Sequence, residues 1–180
     1  ETIKKTMQRQ NIYLSKIRNK HIPQEKEEYP FCIPVIRQFK ELEFSTSVTY
    51  LVGENGSGKS TLLEAIAQCL GLNAEGGSRN FRFHTQETHS DLYEELVCVR
   101  SDLTYKDAYF FRAESFYNVS TEIDRLDATG SYGRKSLHQM SHGEGFVALI
   151  TNRLTGKGIY IFDEPEAALS FQNQLRFLCW

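Results

Sequence analysis

The sequence predicts an α/β fold, a mixed sheet with helices packed on its flanks. Three observations carry that expectation. Apolar runs of strand length alternate along the chain with amphipathic stretches of helix length. A glycine-rich turn, Gly53-Glu54-Asn55-Gly56-Ser57-Gly58-Lys59-Ser60, separates one such run from one such helix. A second apolar run, Gly158-Ile159-Tyr160-Ile161-Phe162, ends in the carboxylates Asp163 and Glu164; a continuous apolar run is how a strand buried on both faces reads.

Taken in order, strands are expected near 31–37, where Phe31 alternates with Ile33 and Val35, near 41–44, and at 48–52 just before the glycine turn. A helix is expected at 60–70 on the pattern Leu62, Leu63, Ile66. The stretch 71–90 is polar and glycine-bearing and reads as a loop, as does 127–136 with Gly130 and Gly133. Strands follow near 95–100, 107–111 and 159–162, and helices near 115–126, 144–154 and 171–178. A chain of 180 residues is one domain with room for a sizeable core. The chain opens on Glu1 and stops within a helical stretch at Trp180, so the single domain 1–180 is expected to be incomplete at its C-terminus, with a small helical subdomain near 113–150.

The glycine turn fits G-x-x-x-x-G-K-[ST], the phosphate-binding loop of nucleoside triphosphatases. Gly53, Gly56 and Gly58 permit positive φ and close approach of backbone to phosphate. The backbone from Glu54 through Asn55 and Ser57 to Thr61 forms the cradle and the helix N-terminus, which favours anions. Lys59 sets a point charge near the β- and γ-phosphates, and the Ser60 hydroxyl suits Mg²⁺. At the end of the acidic strand, Asp163 suits Mg²⁺, a hard cation that takes oxygen ligands. Glu164 suits activation of an attacking water. Ligands of open α/β sheets gather outside the carboxyl ends of strands, where both acids stand.

Between these motifs lies Met140-Ser141-His142-Gly143-Glu144, with Ser141 as N-cap of the helix that follows. On this segment alone an ordinary capped helix is the simpler reading. In the company of the other two motifs it resembles the L-S-G-G-Q signature of ABC-type ATPases, and the order phosphate loop, signature, acidic strand is that family's order. The resemblance covers roughly 31–170. Ile36-Arg37-Gln38-Phe39-Lys40 is similar to the opening of the soluble RecF/SMC-type branch. Glu164-Pro165-Glu166-Ala167-Ala168-Leu169-Ser170 resembles the form found in bacterial stand-alone predicted ATPases.

The resemblance implies an ABC-type nucleotide-binding domain of the P-loop NTPase class that binds ATP with Mg²⁺ and hydrolyses it. Two copies would form an ATP-dependent head-to-tail homodimer, in which Ser141, His142, Gly143 and Glu144 of one copy reach the nucleotide of the other. It also implies a glutamine after the strand that follows the phosphate-loop helix. Here Arg112 and Glu114 stand near that place, Arg112 suited to phosphate and Glu114 to the metal or its water, with Gln86 a weaker candidate. The family's adenine-stacking aromatic would be Phe31 or Phe39, next to Lys40, although Phe31, alternating with Ile33 and Val35, reads as a core strand residue before it reads as a base platform. Ser170 replaces an aspartate, and the switch histidine belongs beyond another strand and helix, after Trp180.

Composition narrows the partners. The formal net charge of −2 gives no global attraction to nucleic acid. Lys4, Lys5, Arg9, Lys16, Arg18 and Lys20 nevertheless crowd the first segment, which reads as a solvated leader or a lysine-protected strand edge before it reads as a nucleic-acid arm. Cys32, Cys69, Cys98 and Cys179 form no C-x-x-C pair and read as reduced, buried thiols of a cytoplasmic protein. No apolar run approaches a membrane span. The leading expectation is therefore an ATPase coupled to DNA repair, defence or another energy-dependent process through an unknown effector. The alternatives are a nucleotide-gated clamp on DNA or protein with slow turnover, and the ATPase subunit of an ABC transporter. A GTPase is disfavoured: Asp127-Ala128-Thr129-Gly130 has no apolar strand before it, and Asn19-Lys20-His21-Ile22 lacks the guanine-reading aspartate.

Overall fold

The computed structural model of the chain describes residues 12–20, 27–79, 90–133 and 136–179. Its strands form two three-stranded sheets, and the element that joins them is the helix after the glycine turn. In the first sheet β1 (Leu14–Asn19) lies between β2 (Glu41–Glu43) and β4 (Leu96–Arg100), antiparallel to both. In the second, β5 (Asp107–Arg112) lies between the short β3 (Gly77–Ser78), antiparallel, and β6 (Gly158–Asp163), parallel. The helices are α1 (Pro34–Arg37), α2 (Lys59–Cys69), α3 (Phe116–Arg125), α4 (His142–Arg153) and α5 (Phe171–Phe177).

Strand periodicity explains why β5 and β6 read as unbroken apolar runs. Successive side chains point to opposite faces, and both faces are covered. Ala108, Phe110, Ile159 and Ile161 enter a core shared with α2 and β1, where Ile17, Leu62, Ala65, Ile66 and Leu92 lie. Tyr109, Phe111, Tyr160 and Phe162 enter a second core under α3 and α4, with Val119, Ile123, Phe146 and Leu149. That second core is aromatic: the Phe111 and Phe146 rings meet edge to face at 4.5 Å, and Phe177 of α5 closes on Phe162 at 5.0 Å.

The strands at 41–44, 95–100, 107–111 and 159–162 and all four expected helices appear within a few residues of their expected positions. Two expected strands do not. The 31–37 segment is a turn followed by α1, because Pro34 takes the first helical position, where its missing N–H costs nothing. Phe31 is 3% exposed and Val35 49%, so the alternation does not define one face. The 48–52 segment belongs to no sheet among the described residues. Val48, Tyr50 and Val52 are 63%, 68% and 91% exposed, and the segment faces β6 across an apolar cavity of about 900 Å³. A strand is defined by the neighbour that takes its hydrogen bonds, and among the described residues β6 pairs with β5 alone.

β1, in turn, comes from the basic first segment. It is the central strand of its sheet, not an edge, and Lys16 is held by Glu43 at 2.5 Å and Glu41 at 3.3 Å. Lys4, Lys5 and Arg9 lie outside the described residues, as does Gln86. Of the 71–90 loop, residues 72–78 are buried rather than solvated, and Gly130 and Ser131 sit in a short 3-10 turn that buries Tyr132. The cysteines also depart from expectation: Cys32 and Cys179 are exposed, Cys69 and Cys98 half-buried.

The buried loop depends on Gly76. Its φ is +106°, and a Cβ there would stand 3.0 Å from the backbone oxygen of Phe110, in the strand that carries the core. Gly76→Ala combines left-handed strain with a backbone clash and is expected to cost on the order of 1–3 kcal/mol. Thermal denaturation of the variant checks this; an unchanged midpoint would mean that the loop shifts without cost.

A candidate phosphate-binding site

The glycine turn leads into α2 through Gly56 (φ +76°) and Gly58 (φ +94°), both in the left-handed region that side chains avoid. At Gly58 a Cβ would also press Ile33 at 3.0 Å and Val35 at 3.1 Å, so the 33–35 segment can lie against the loop only because this residue is glycine. Gly58 is the N-cap of α2, with no side chain to take the helix's first N–H groups. Those donors, with the positive end of the helix dipole, form an anion site.

Lys59 folds back over the loop. Its Nζ donates to the carbonyl oxygens of Gly53 and Glu54, each at 2.7 Å. Ser60 reaches across the molecule: its hydroxyl donates to Asp163 Oδ1 at 2.9 Å. The loop and the end of β6, 103 residues apart, therefore meet side chain to side chain. Asp163 is 5% exposed. Burial pushes its carboxyl above the usual range, while the Ser60 hydrogen bond and the Arg112 charge pull it down.

Glu164 follows with φ +49° and ψ +47°, a conformation that costs a non-glycine residue on the order of 1–3 kcal/mol. That twist leaves its carboxylate exposed at a cavity of about 240 Å³ over the loop, whose walls include Asn55, Gly56, Lys59, Ser60 and Glu164. The larger cavity is mostly apolar: the 48–52 segment and β6 line it together with Leu14, Phe44, Ile150 and Phe177, and Lys59, Asp163 and Glu164 border it as well.

The residues present fit a nucleoside triphosphate and a hard divalent cation. Ser60 and Asp163 offer two oxygens at one point, and no group of three or more His, Cys, Asp or Glu side chains suited to a metal occurs among the described residues. A cation held there would complete its shell with phosphate oxygens and water, as magnesium does.

The other expected residues separate into two groups. Ser141 is the N-cap of α4 in a closed capping box: its Oγ accepts from the Glu144 N–H at 3.3 Å, and Glu144 Oε2 accepts from the Ser141 N–H at 2.9 Å. His142 and Glu144 are exposed and Gly143 half-exposed, so this turn faces outward. Arg112 contacts acids, not the phosphate cavity, and Glu114 is exposed beside it. Phe31 is buried in the first core; Phe39 packs half-buried against it, and neither it nor Lys40 lines the phosphate cavity. Ser170 caps α5.

Sequence reading missed Tyr29. Its hydroxyl and the Thr61 hydroxyl share a 3.1 Å hydrogen bond, and its ring, 61% exposed, borders the phosphate cavity with Ile33. Nothing local marks it, because it stands before the first expected strand.

The family described as an AAA domain matches residues 32–163. Over 114 residues the chain is 27% identical to a retron Vc95 probable ATPase of Vibrio cholerae serotype O1 biovar El Tor, covering 56% of this chain and 22% of that protein. It is 35% identical over 103 residues to structural maintenance of chromosomes protein 6 of Dictyostelium discoideum, covering 55% of this chain and 8% of that protein. The chain thus spans less than a quarter of the length of these curated relatives. No solved structure matches it significantly.

Proposed function

The chain belongs to the AAA domain family and is a P-loop ATPase domain of the ABC/SMC-like kind, and on that premise we propose that it binds ATP with magnesium on the Gly53–Thr61 loop and hydrolyses it as an ABC-type domain, between two copies arranged head to tail. The observation that carries this reading is the Ser60–Asp163 hydrogen bond, which brings the phosphate loop and the acidic strand to one point beside Glu164.

The protein's own groups divide the work. The loop N–H groups and the α2 N-terminus orient the phosphates. Lys59 exchanges the Gly53 and Glu54 carbonyls for phosphate oxygens, so its charge is held ready over the loop before nucleotide arrives. Ser60 and Asp163 would hold the metal, which would neutralise charge on the phosphate oxygens. Glu164 orients a water for in-line attack and takes its proton. Tyr29 offers an aromatic face at the mouth of the cavity.

Dimerisation is supported by the outward-facing turn at Ser141 to Glu144. One protomer already has an anion site at α2; a second helix N-terminus at α4 suits the γ-phosphate held by another copy. Ser141 would then exchange Glu144 for phosphate. The two sheets are read as halves of one domain, because α2 packs against β4 of one and β6 of the other over a shared core. No helix among the described residues is long and apolar enough to cross a membrane.

Equilibrium binding of a fluorescent ATP analogue tests the reading. Lys59→Ala removes a charge-assisted contact and is expected to weaken ATP about 10- to 100-fold. Equal affinity of wild type and variant would remove the loop from the site.

A further inference from the structure

Arg112 stands where a phosphate contact was expected, yet its guanidinium is shared among three carboxylates. Nη1 donates to Glu64 Oε2 at 2.7 Å, Nη2 lies 3.3 Å from Glu114 Oε2, and Nε lies 3.6 Å from Asp163 Oδ2. The three acids come from three places: α2, the turn after β5, and the last residue of β6. Arg112 and Asp163 are also directly opposite each other in the parallel β5–β6 ladder. The side chains of Glu64 and Asp163 are 10% and 7% exposed, whereas Glu114 is 82% exposed.

Two buried carboxylates so close to one point repel each other unless a cation lies between them. Arginine suits that place: its donors are fixed in a plane and it keeps its charge when buried. A lysine carries its donors on one nitrogen and lacks the rigid planar fork by which three separate nitrogens of Arg112 face Glu64, Glu114 and Asp163. The division of Asp163 is the telling feature. Ser60 holds Oδ1, and Arg112 faces Oδ2. The orientation of the carboxylate at the phosphate loop is thus set from behind, by a residue that does not line the phosphate cavity.

We propose that Arg112 is a positioning residue for the metal site: it anchors Asp163 through Oδ2, ties it through Glu64 to the phosphate-loop helix, and draws Glu114 to the same end of the sheet. This rests on reading Ser60 and Asp163 as the metal ligands. Arg112 touches neither phosphate nor metal in this arrangement. Its effect is read in how much magnesium strengthens nucleotide binding, a quantity that a purely structural ion pair would leave alone.

The experiment measures the affinity of the chain for a fluorescent ATP analogue in EDTA and in magnesium, and takes the ratio. Arg112→Ala is expected to leave the metal-free affinity within about threefold of wild type and to lower the magnesium-dependent gain about 10- to 100-fold, the range seen when groups that orient metal ligands are removed. Arg112→Lys keeps the buried charge and is expected to recover only part of the gain. Should Arg112→Ala fail to fold, as thermal denaturation would show, the lysine variant decides, because it keeps the charge but not the planar fork whose separate nitrogens face Glu64 and Asp163. A wild-type gain that survives undiminished in the folded variants overturns the role of Arg112. Nucleotide binding by wild type with no gain from magnesium overturns the metal-site reading beneath it.

Discussion

Replacing Glu164 by Gln is expected to lower ATP turnover about 100- to 10,000-fold, the range that a positioned general base contributes, while ATP affinity stays near that of wild type. Glu164 lies beside the site without holding it together. Lys59 is held by Gly53 and Glu54, and Ser60 by Asp163, so neither contact depends on Glu164. The glutamine keeps the size of the side chain and can hydrogen-bond a water, but cannot take its proton. Its φ of +49° is a second mark of a functional position, since a residue held in the left-handed region is destabilising unless the surroundings impose it. If two copies close on ATP, the variant should accumulate as a dimer in magnesium and ATP and remain a monomer in ADP, because hydrolysis normally releases the contact. Single-turnover kinetics read the first effect and light scattering the second. Lost turnover without a dimer would leave Ser141 to the capping box with Glu144 and place all the chemistry within one subunit.

The phosphate loop and the acidic strand were legible because each is a local pattern whose chemistry depends on neighbours in sequence. Ser60 and Asp163 are expected at one cation from their motifs alone, and in the fold a hydrogen bond joins the two side chains. The α4 cap was legible for the same reason, as a serine three residues ahead of a glutamate. What could not be read depends on partners distant in sequence. The 48–52 segment has the composition of a strand, but strand status belongs to a pair, and the segment faces β6 across a cavity. Lys16 reads from sequence as part of a solvated leader or a lysine-protected strand edge; it lies on the central strand β1, held by Glu41 and Glu43 of β2. Arg112 looked like a phosphate contact because only its distance from the other motifs was visible, not the ladder position opposite Asp163.

Arg153→Ala is expected to destabilise the fold by about 3–5 kcal/mol, the cost of leaving a buried charge without its partner. For a chain of this size that lowers the thermal midpoint by roughly 6–20 °C. Arg153 ends α4, and its Nη1 donates to both oxygens of Asp107, each at 3.0 Å; the side chains are 20% and 9% exposed. Tyr160 donates its hydroxyl to Asp107 Oδ2 at 3.1 Å, so one carboxylate joins α4 to the first residue of β5 and to β6. Burial also pushes the nearby Tyr109 hydroxyl well above its ordinary range, which marks how dry the surroundings are.

The double variant Asp107→Leu with Arg153→Met separates desolvation from packing. Removal of both charges is expected to cost much less than removal of Arg153 alone, because no orphaned carboxylate remains. A single variant as stable as wild type would mean that water reaches Asp107. The pair also bears on the site at the other end of the sheet. α4 runs down from Ser141 to Arg153 over about 18 Å, and β6 runs back up from Gly158 to Asp163 over about 17 Å. With Arg153 fixed to Asp107, whose ladder partner is Gly158, the lower ends of helix and strand are pinned together. Ser141 and Asp163 are thereby held at the same end of the layer, a requirement if one face of the protein is to present both an ATP site and the turn that closes on a second copy.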